Sequence, residues 1–267
     1  MGSSAAACPR RSRSCPAPRA FEAAVFNSGA NVWRFLDAWP PRGTTPTNVY
    51  LRANGALVMA VPTERTAFDE YVSDPARPVP YTAEITHWYN NGFMVEDQRF
   101  ASRRPDVLVY RSEPLTSDLT VAGPVDVDFV VSTSGTDSDW IVKVVDVFPD
   151  SGTGGTARAR ARSGGYQMLV RGDVLRGKFR NSMSRPEAFT PNAATPIRFR
   201  MNDVFHTVRS GHRRMVQVQS TWFPMIDRNP GRFMDIWQAT DADFQRTTQR
   251  VYRSAAQASH VVLPVLR

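Results

Sequence analysis

The four histidines, His87, His206, His212 and His260, are the chain's candidate general bases, and each would need a nucleophile and an orienting carboxylate around it. An activated serine of the strand-turn-helix type sits in G-x-S-x-G, because only small neighbours fit that sharp turn. No serine here has glycine at both of those flanking positions. His212, in Gly211-His212-Arg213-Arg214 at the start of a strand, reads as a histidine satisfied by backbone at a turn. Metal spacing is absent as well: there is no H-x-x-x-H, no H-x-x-E-H and no paired cysteine, and Cys8 and Cys15 stand without a second ligand pair. Asp137-Ser138-Asp139 suggests a calcium loop, but such loops need several more oxygen ligands, so a solvated turn ahead of Trp140 is expected. Trp88, Tyr89, Phe93 and Met94 cluster around Asn90-Asn91-Gly92. They fit two roles, core residues folded under a loop or the apolar wall of a substrate pocket.

The elements that must position these residues read as strands. In Val121–Ser132, Val125, Val127, Phe129 and Val131 alternate with Asp126 and Asp128, the period of two of a half-buried strand. Trp140–Phe148 is rich in β-branched residues, with Lys143 as its polar interruption. Further strands are expected at Val49–Arg52, Leu57–Val61, Val107–Arg111, Tyr166–Val170, Ile197–Met201, Met215–Ser220 and His260–Leu266. Ala53-Asn54-Gly55 suits a hairpin, and Ser134-Gly135 and Asp203 suit tighter corners. One helix is expected near the C-terminus, over Asp241–Ser254, with Asp241 or Asp243 as its N-cap and Phe244, Thr248 and Val251 on one face. Twenty prolines and many short strands point to an all-β jelly-roll sandwich.

The 267 residues carry a net charge of +8, which alone suggests a polyanion partner. Its placement argues otherwise. Arg10, Arg11, Arg13 and Arg19 lie in residues 1–20, and Arg158, Arg160 and Arg162 lie in the Gly-rich stretch 151–165; neither segment holds an acid. Together they account for all but one of the net charges, so the body is nearly neutral and no nucleic-acid surface is expected. Residues 1–20 read as a disordered Arg/Pro/Ala-rich tail, with residues 21–267 as one domain. The tail lacks the apolar stretch of a secretory signal, and no run of about 18 apolar residues exists, so a cytoplasmic, membrane-free protein is the default expectation.

Several segments, in order, resemble one family: Tyr71-Val72-Ser73-Asp74-Pro75, Val95-Glu96-Asp97-Gln98-Arg99, Arg104-Pro105-Asp106, Ser134 to Trp140 with Asp146-Val147-Phe148-Pro149-Asp150, Gly211-His212-Arg213, Trp222-Phe223-Pro224, Asp227-Arg228-Asn229-Pro230 and the closing Ser259 to Pro264. The set resembles the C-terminal non-catalytic region of the X-Pro dipeptidyl-peptidase and cocaine esterase group, closest to α-amino acid ester hydrolases and glutaryl cephalosporin acylases.

That resemblance implies a galactose-binding-like jelly roll following an α/β-hydrolase domain. It implies acyl transfer from an ester or amide through an acyl-serine, with the triad upstream of this chain and no cofactor. The chain itself is then expected to supply no catalytic residue and no metal ligand, to be inactive alone, and to offer Trp88, Tyr89, Phe93 and Met94 as a pocket rim. Its partner would be the hydrolase domain, and the isolated chain would tend to form homo-oligomers through the face left uncovered. The competing expectation is a stand-alone binding module for carbohydrate or protein, using Trp33, Trp39, Trp222 and Trp237.

Overall fold

The structure, a computed structural model, describes residues 21–84, 90–150 and 164–267. The expected tail, the Arg-rich stretch 151–163, and Trp88 and Tyr89 lie outside the described residues.

Fourteen strands occur among the described residues: β1 (Ala23–Asn27), β2 (Val32–Leu36), β3 (Thr44–Arg52), β4 (Ala56–Val58), β5 (Phe68–Ser73), β6 (Leu108–Arg111), β7 (Leu119–Thr133), β8 (Asp139–Val147), β9 (Gln167–Arg176), β10 (Thr195–Val208), β11 (Arg213–Gln219), β12 (Thr247–Ser254), β13 (Gln257–Ala258) and β14 (His260–Leu266). The long β7 organises one sheet, with β10 along one edge and β12 and β14 along the other; β5 extends β12 and β3 extends β14. A second sheet runs β6-β11-β8-β9, all antiparallel, and the β3–β4 hairpin joins the two. In that hairpin Asn54 (φ 59°) and Gly55 (φ 66°) are both left-handed. A side chain on Gly55 would lie 2.6 Å from the Val109 carbonyl oxygen, so only glycine fits.

The main core lies between the sheets: Val49, Leu51, Val125, Val127, Phe129, Val131, Val261 and Leu263 face Trp140, Val142, Val216, Val218 and Tyr110. The alternation that predicted β7 is therefore real, and its outward aspartates have work of their own. Asp126 and Asp128 pair with Arg200 and Arg198 across the strand at 2.7 and 2.8 Å. These pairs are exposed and contribute little to stability. The second sheet is covered on its outer face too, where Ile141, Val145, Val147, Leu169 and Met215 pack under Tyr81 and Trp222. β8 is thus apolar on both faces, which explains its near-continuous β-branched run.

This is the all-β sandwich the sequence led to, with one correction. Asp241–Ser254 is not a helix: Asp241–Asp243 form a single 3-10 turn, capped by Thr240, and β12 follows. Thr247, Gln249 and Val251 are buried alternately, and pairing with β5 and β7 on both sides outweighs the weak helical spacing. The one α-helix among the described residues is the short α1 (Arg99–Ser102). No helix among them is long and apolar enough to cross a membrane.

Candidate functional site

The aromatic loop is built from Asn90 onward. Asn90 accepts the Gly92 amide on its side chain at 2.8 Å and donates its own amide to the Tyr81 hydroxyl at 2.8 Å, so a 3-10 turn forms over Asn91–Val95. Glu96 anchors the loop to the Ala83 amide at 3.0 Å, and the Tyr166 hydroxyl donates to the Val95 carbonyl at 2.6 Å. These bonds send the two described aromatic-loop candidates in different directions. Phe93 packs inward, edge-on to Trp222 at 5.9 Å and tilted against Tyr81 at 5.8 Å. Met94 is 54% exposed. Phe93 is therefore a core residue folded under the loop, while Met94 stays at the surface.

Beneath Phe93 lies a group the strand pattern showed only as an interruption. Lys143 is fully buried on the outer face of β8; its Nζ donates to Gln98 Oε1 at 3.0 Å and sits 5.0 Å from the Trp222 ring centroid and 5.8 Å from that of Phe100. Burial lowers its pKa to about 7, which the Glu96 charge only partly opposes. Trp222 reaches this position because β9 carries glycine opposite it: a Cβ on Gly172 would stand 3.0 Å from the indole and 3.3 Å from Lys143.

Asp137-Ser138-Asp139 is buried, which corrects the expectation of a solvated turn. Asp139 accepts from Asn229 Nδ2 at 2.9 Å and pairs with Arg176 at 3.3 Å, while Arg176 also reaches Asp227. Desolvation pushes the Asp139 carboxyl up to about 7, Arg176 and Asn229 opposing, and burial raises Asp137 as well. The turn sinks because Asn229 and Arg176 replace water around it.

His212 needs a correction of the same kind. Its Nδ1 lies 2.8 Å from Asp146 Oδ1 and its ring stacks on Phe148 at 4.4 Å, so its partner is a carboxylate and not backbone. The other Asp146 oxygen is 3.0 Å from His206 Nε2, and His206 Nδ1 is 2.8 Å from the Ser28 hydroxyl. The line Ser28–His206–Asp146 joins the residue types of a catalytic triad, yet the imidazole is 1% exposed, and the ring nitrogens face the opposite partners from those in serine hydrolases. It acts as a strut from the β1–β2 turn through β10 to β8. His260 stacks on Tyr50 and bonds the Ala258 carbonyl, and His87 lies outside the described residues.

No three His, Cys, Asp or Glu side chains converge as a metal site among the described residues. A cleft of about 450 Å³ lies elsewhere, lined by Asp74, Arg77, Arg104, Asp106 and Arg246, and includes none of the aromatic-loop residues. Of the tryptophans considered from the sequence for a sugar-binding face, Trp222 is buried and takes no part in one, while Trp33 and Trp237 are exposed.

Residues 19–262 match the family model described as the X-Pro dipeptidyl-peptidase C-terminal non-catalytic domain. The chain belongs to that family. It is 31% identical over 252 residues to a cocaine esterase of Rhodococcus sp. (strain MB1 Bresler), covering 91% of this chain and 41% of the esterase. Among solved structures, an aminopeptidase from a marine sediment archaeon of the Thaumarchaeota superposes with a TM-score of 0.87 at 37% identity, over 94% of this chain and 42% of that one. An α-amino acid ester hydrolase gives a TM-score of 0.85 at 42% identity, over 91% and 40%. This non-catalytic domain thus spans about two fifths of the length of the relatives it matches.

Proposed function

We propose that this domain works as the C-terminal part of a serine hydrolase, packing on an α/β-hydrolase portion and lining its substrate pocket with the loop that carries Trp88, Tyr89, Phe93 and Met94. The parent reaction is hydrolysis of an ester or amide through an acyl-serine intermediate. The observation that carries the reading is the match over residues 19–262 to a non-catalytic domain whose relatives hold roughly three fifths of their length elsewhere. The sequence agrees, since it holds no G-x-S-x-G. Within the loop, Phe93 fixes the fold against Trp222 and leaves Met94 exposed for an apolar acyl group to meet.

The test is turnover of p-nitrophenyl and amino acid esters by the purified 267-residue chain. None is expected. Turnover blocked by a serine-directed inhibitor and abolished in Ser28→Ala would overturn the proposal and make the Ser28–His206–Asp146 line catalytic.

A further inference from the structure

The β1–β2 ribbon forms a two-stranded sheet of its own, and its two faces differ sharply. The inner face is tied down: the Ser28 amide donates to the Phe205 carbonyl at 3.1 Å, and Asn27 Nδ2 donates to the Thr207 hydroxyl at 2.8 Å. In the antiparallel register Ala24 opposes Phe35 and Phe26 opposes Trp33, which puts these four residues together on the outer face. Phe35 is 65% exposed, Trp33 62%, Phe21 54% and Phe26 39%. The rings associate in two pairs, Phe21 with Phe35 at 4.8 Å and Phe26 with Trp33 at 5.4 Å. Together they expose roughly 450 Å² of aromatic surface, within the size range of patches that serve as binding sites.

We propose that this stripe is the docking surface for the α/β-hydrolase portion, an inference that rests on the function proposed above. The relatives carry their additional length outside a domain that is C-terminal by family, and β1 is the first strand of this domain. Chain arriving from upstream therefore enters beside the ribbon. Between its ends the stripe holds no charged side chain, since Arg34 belongs to the other face, and the exposed Glu22 and Asp37 flank it just beyond the paired residues, so its counterpart is an apolar surface with a polar rim. Within each pair the rings tilt by 58° and 59°, which offers no flat platform for a sugar ring. A symmetric pair of copies would bury about 450 Å² per partner, short of the roughly 800 Å² of a stable interface. A hydrolase portion also touched by the Met94 loop would bury more.

The experiment co-expresses the full 267-residue chain with the catalytic portion of the α-amino acid ester hydrolase that resembles it, and measures their complex by size exclusion and titration. A one-to-one complex is expected, weakened about thirtyfold by Trp33→Ser or Phe35→Ser. Trp237→Ser, at a side chain still more exposed but outside the stripe, is expected to leave it unchanged. The stripe variants are expected to melt with the parent chain, since both side chains are largely solvated. A complex that forms but ignores the stripe substitutions overturns this docking surface and leaves the proposed function standing. Absence of any complex with a catalytic portion shown by circular dichroism and a cooperative melt to be folded overturns the proposed function with it. A homodimer of the parent chain abolished by the same substitutions, and not displaced by the catalytic portion, assigns the stripe to a second copy and overturns the proposal.

Discussion

Replacing Lys143 with methionine tests the outer layer of the sandwich most directly. The substitution keeps most of the apolar stem and removes the ammonium that sits between Gln98, Trp222 and Phe100. In the folded chain the lysine pKa is lowered to about 7 from an ordinary 10.5. Between those values the folded state binds fewer protons than the unfolded chain, so stability rises with pH through that window and levels off above it. From pH 7 to pH 9 the gain is about 2 kcal/mol, because the group is already half deprotonated at the lower value. Lys143→Met has no such proton to lose. Urea unfolding of both chains at pH 7, 8 and 9 is expected to show the parent gaining about 2 kcal/mol on the variant across the series. The absolute difference at any one pH also contains the Gln98 oxygen left without its donor, but that contribution is constant and cancels in the comparison. A difference that stays fixed from pH 7 to 9 would refute the reasoning and place Nζ in contact with water.

Asp139→Asn probes the opposite arm: with its carboxyl raised to about 7 by burial, the folded parent holds a proton that the unfolded chain releases, so the parent should lose about 2 kcal/mol relative to the variant between pH 5 and pH 7 in thermal melts. Asp146→Ala removes the shared acceptor of two imidazoles, and the loss of two buried hydrogen bonds is expected to cost about 2–4 kcal/mol in denaturant unfolding at fixed pH. His212→Ala, which spares the His206 bond, should cost less than half of that.

Much of this fold can be read from period-two alternation and turn chemistry. Val125 to Val131 announce a half-buried strand because only one face meets the core, and Asn54-Gly55 announces a hairpin because both residues must adopt positive φ. The C-terminal helix fails for a nonlocal reason: Thr247–Ser254 has some 3.6-residue spacing, but β5 and β7 supply hydrogen-bond partners on both edges that no local pattern reveals. The aspartates before Trp140 fail similarly, since they read as solvated until Asn229 and Arg176, distant in sequence, arrive beside them. Lys143 did leave a signal. A single cation in a run apolar at both parities marks a strand covered on both faces, and a lysine there must find a partner in whatever covers it.

Both proposed surfaces hang from β8. Lys143, on its outer face, holds Gln98 and the Trp222 indole against which Phe93 packs, and so supports the loop that exposes Met94. Asp146, three residues on and facing inward, holds His206, which reaches Ser28 in the turn of the aromatic ribbon. Odd and even positions of a strand face opposite ways, so one strand can anchor two layers independently. A substitution at Lys143 should therefore loosen the Met94 loop and spare the ribbon, while one at Asp146 should do the reverse. Hydrogen exchange on the two variants separates the cases: faster exchange of the Phe93 and Glu96 amides in Lys143→Met, and of the Ser28 amide in Asp146→Ala. Exchange that accelerates equally at both places in either variant would mean that β8 transmits the damage as one cooperative unit, and the two surfaces could not be tuned apart.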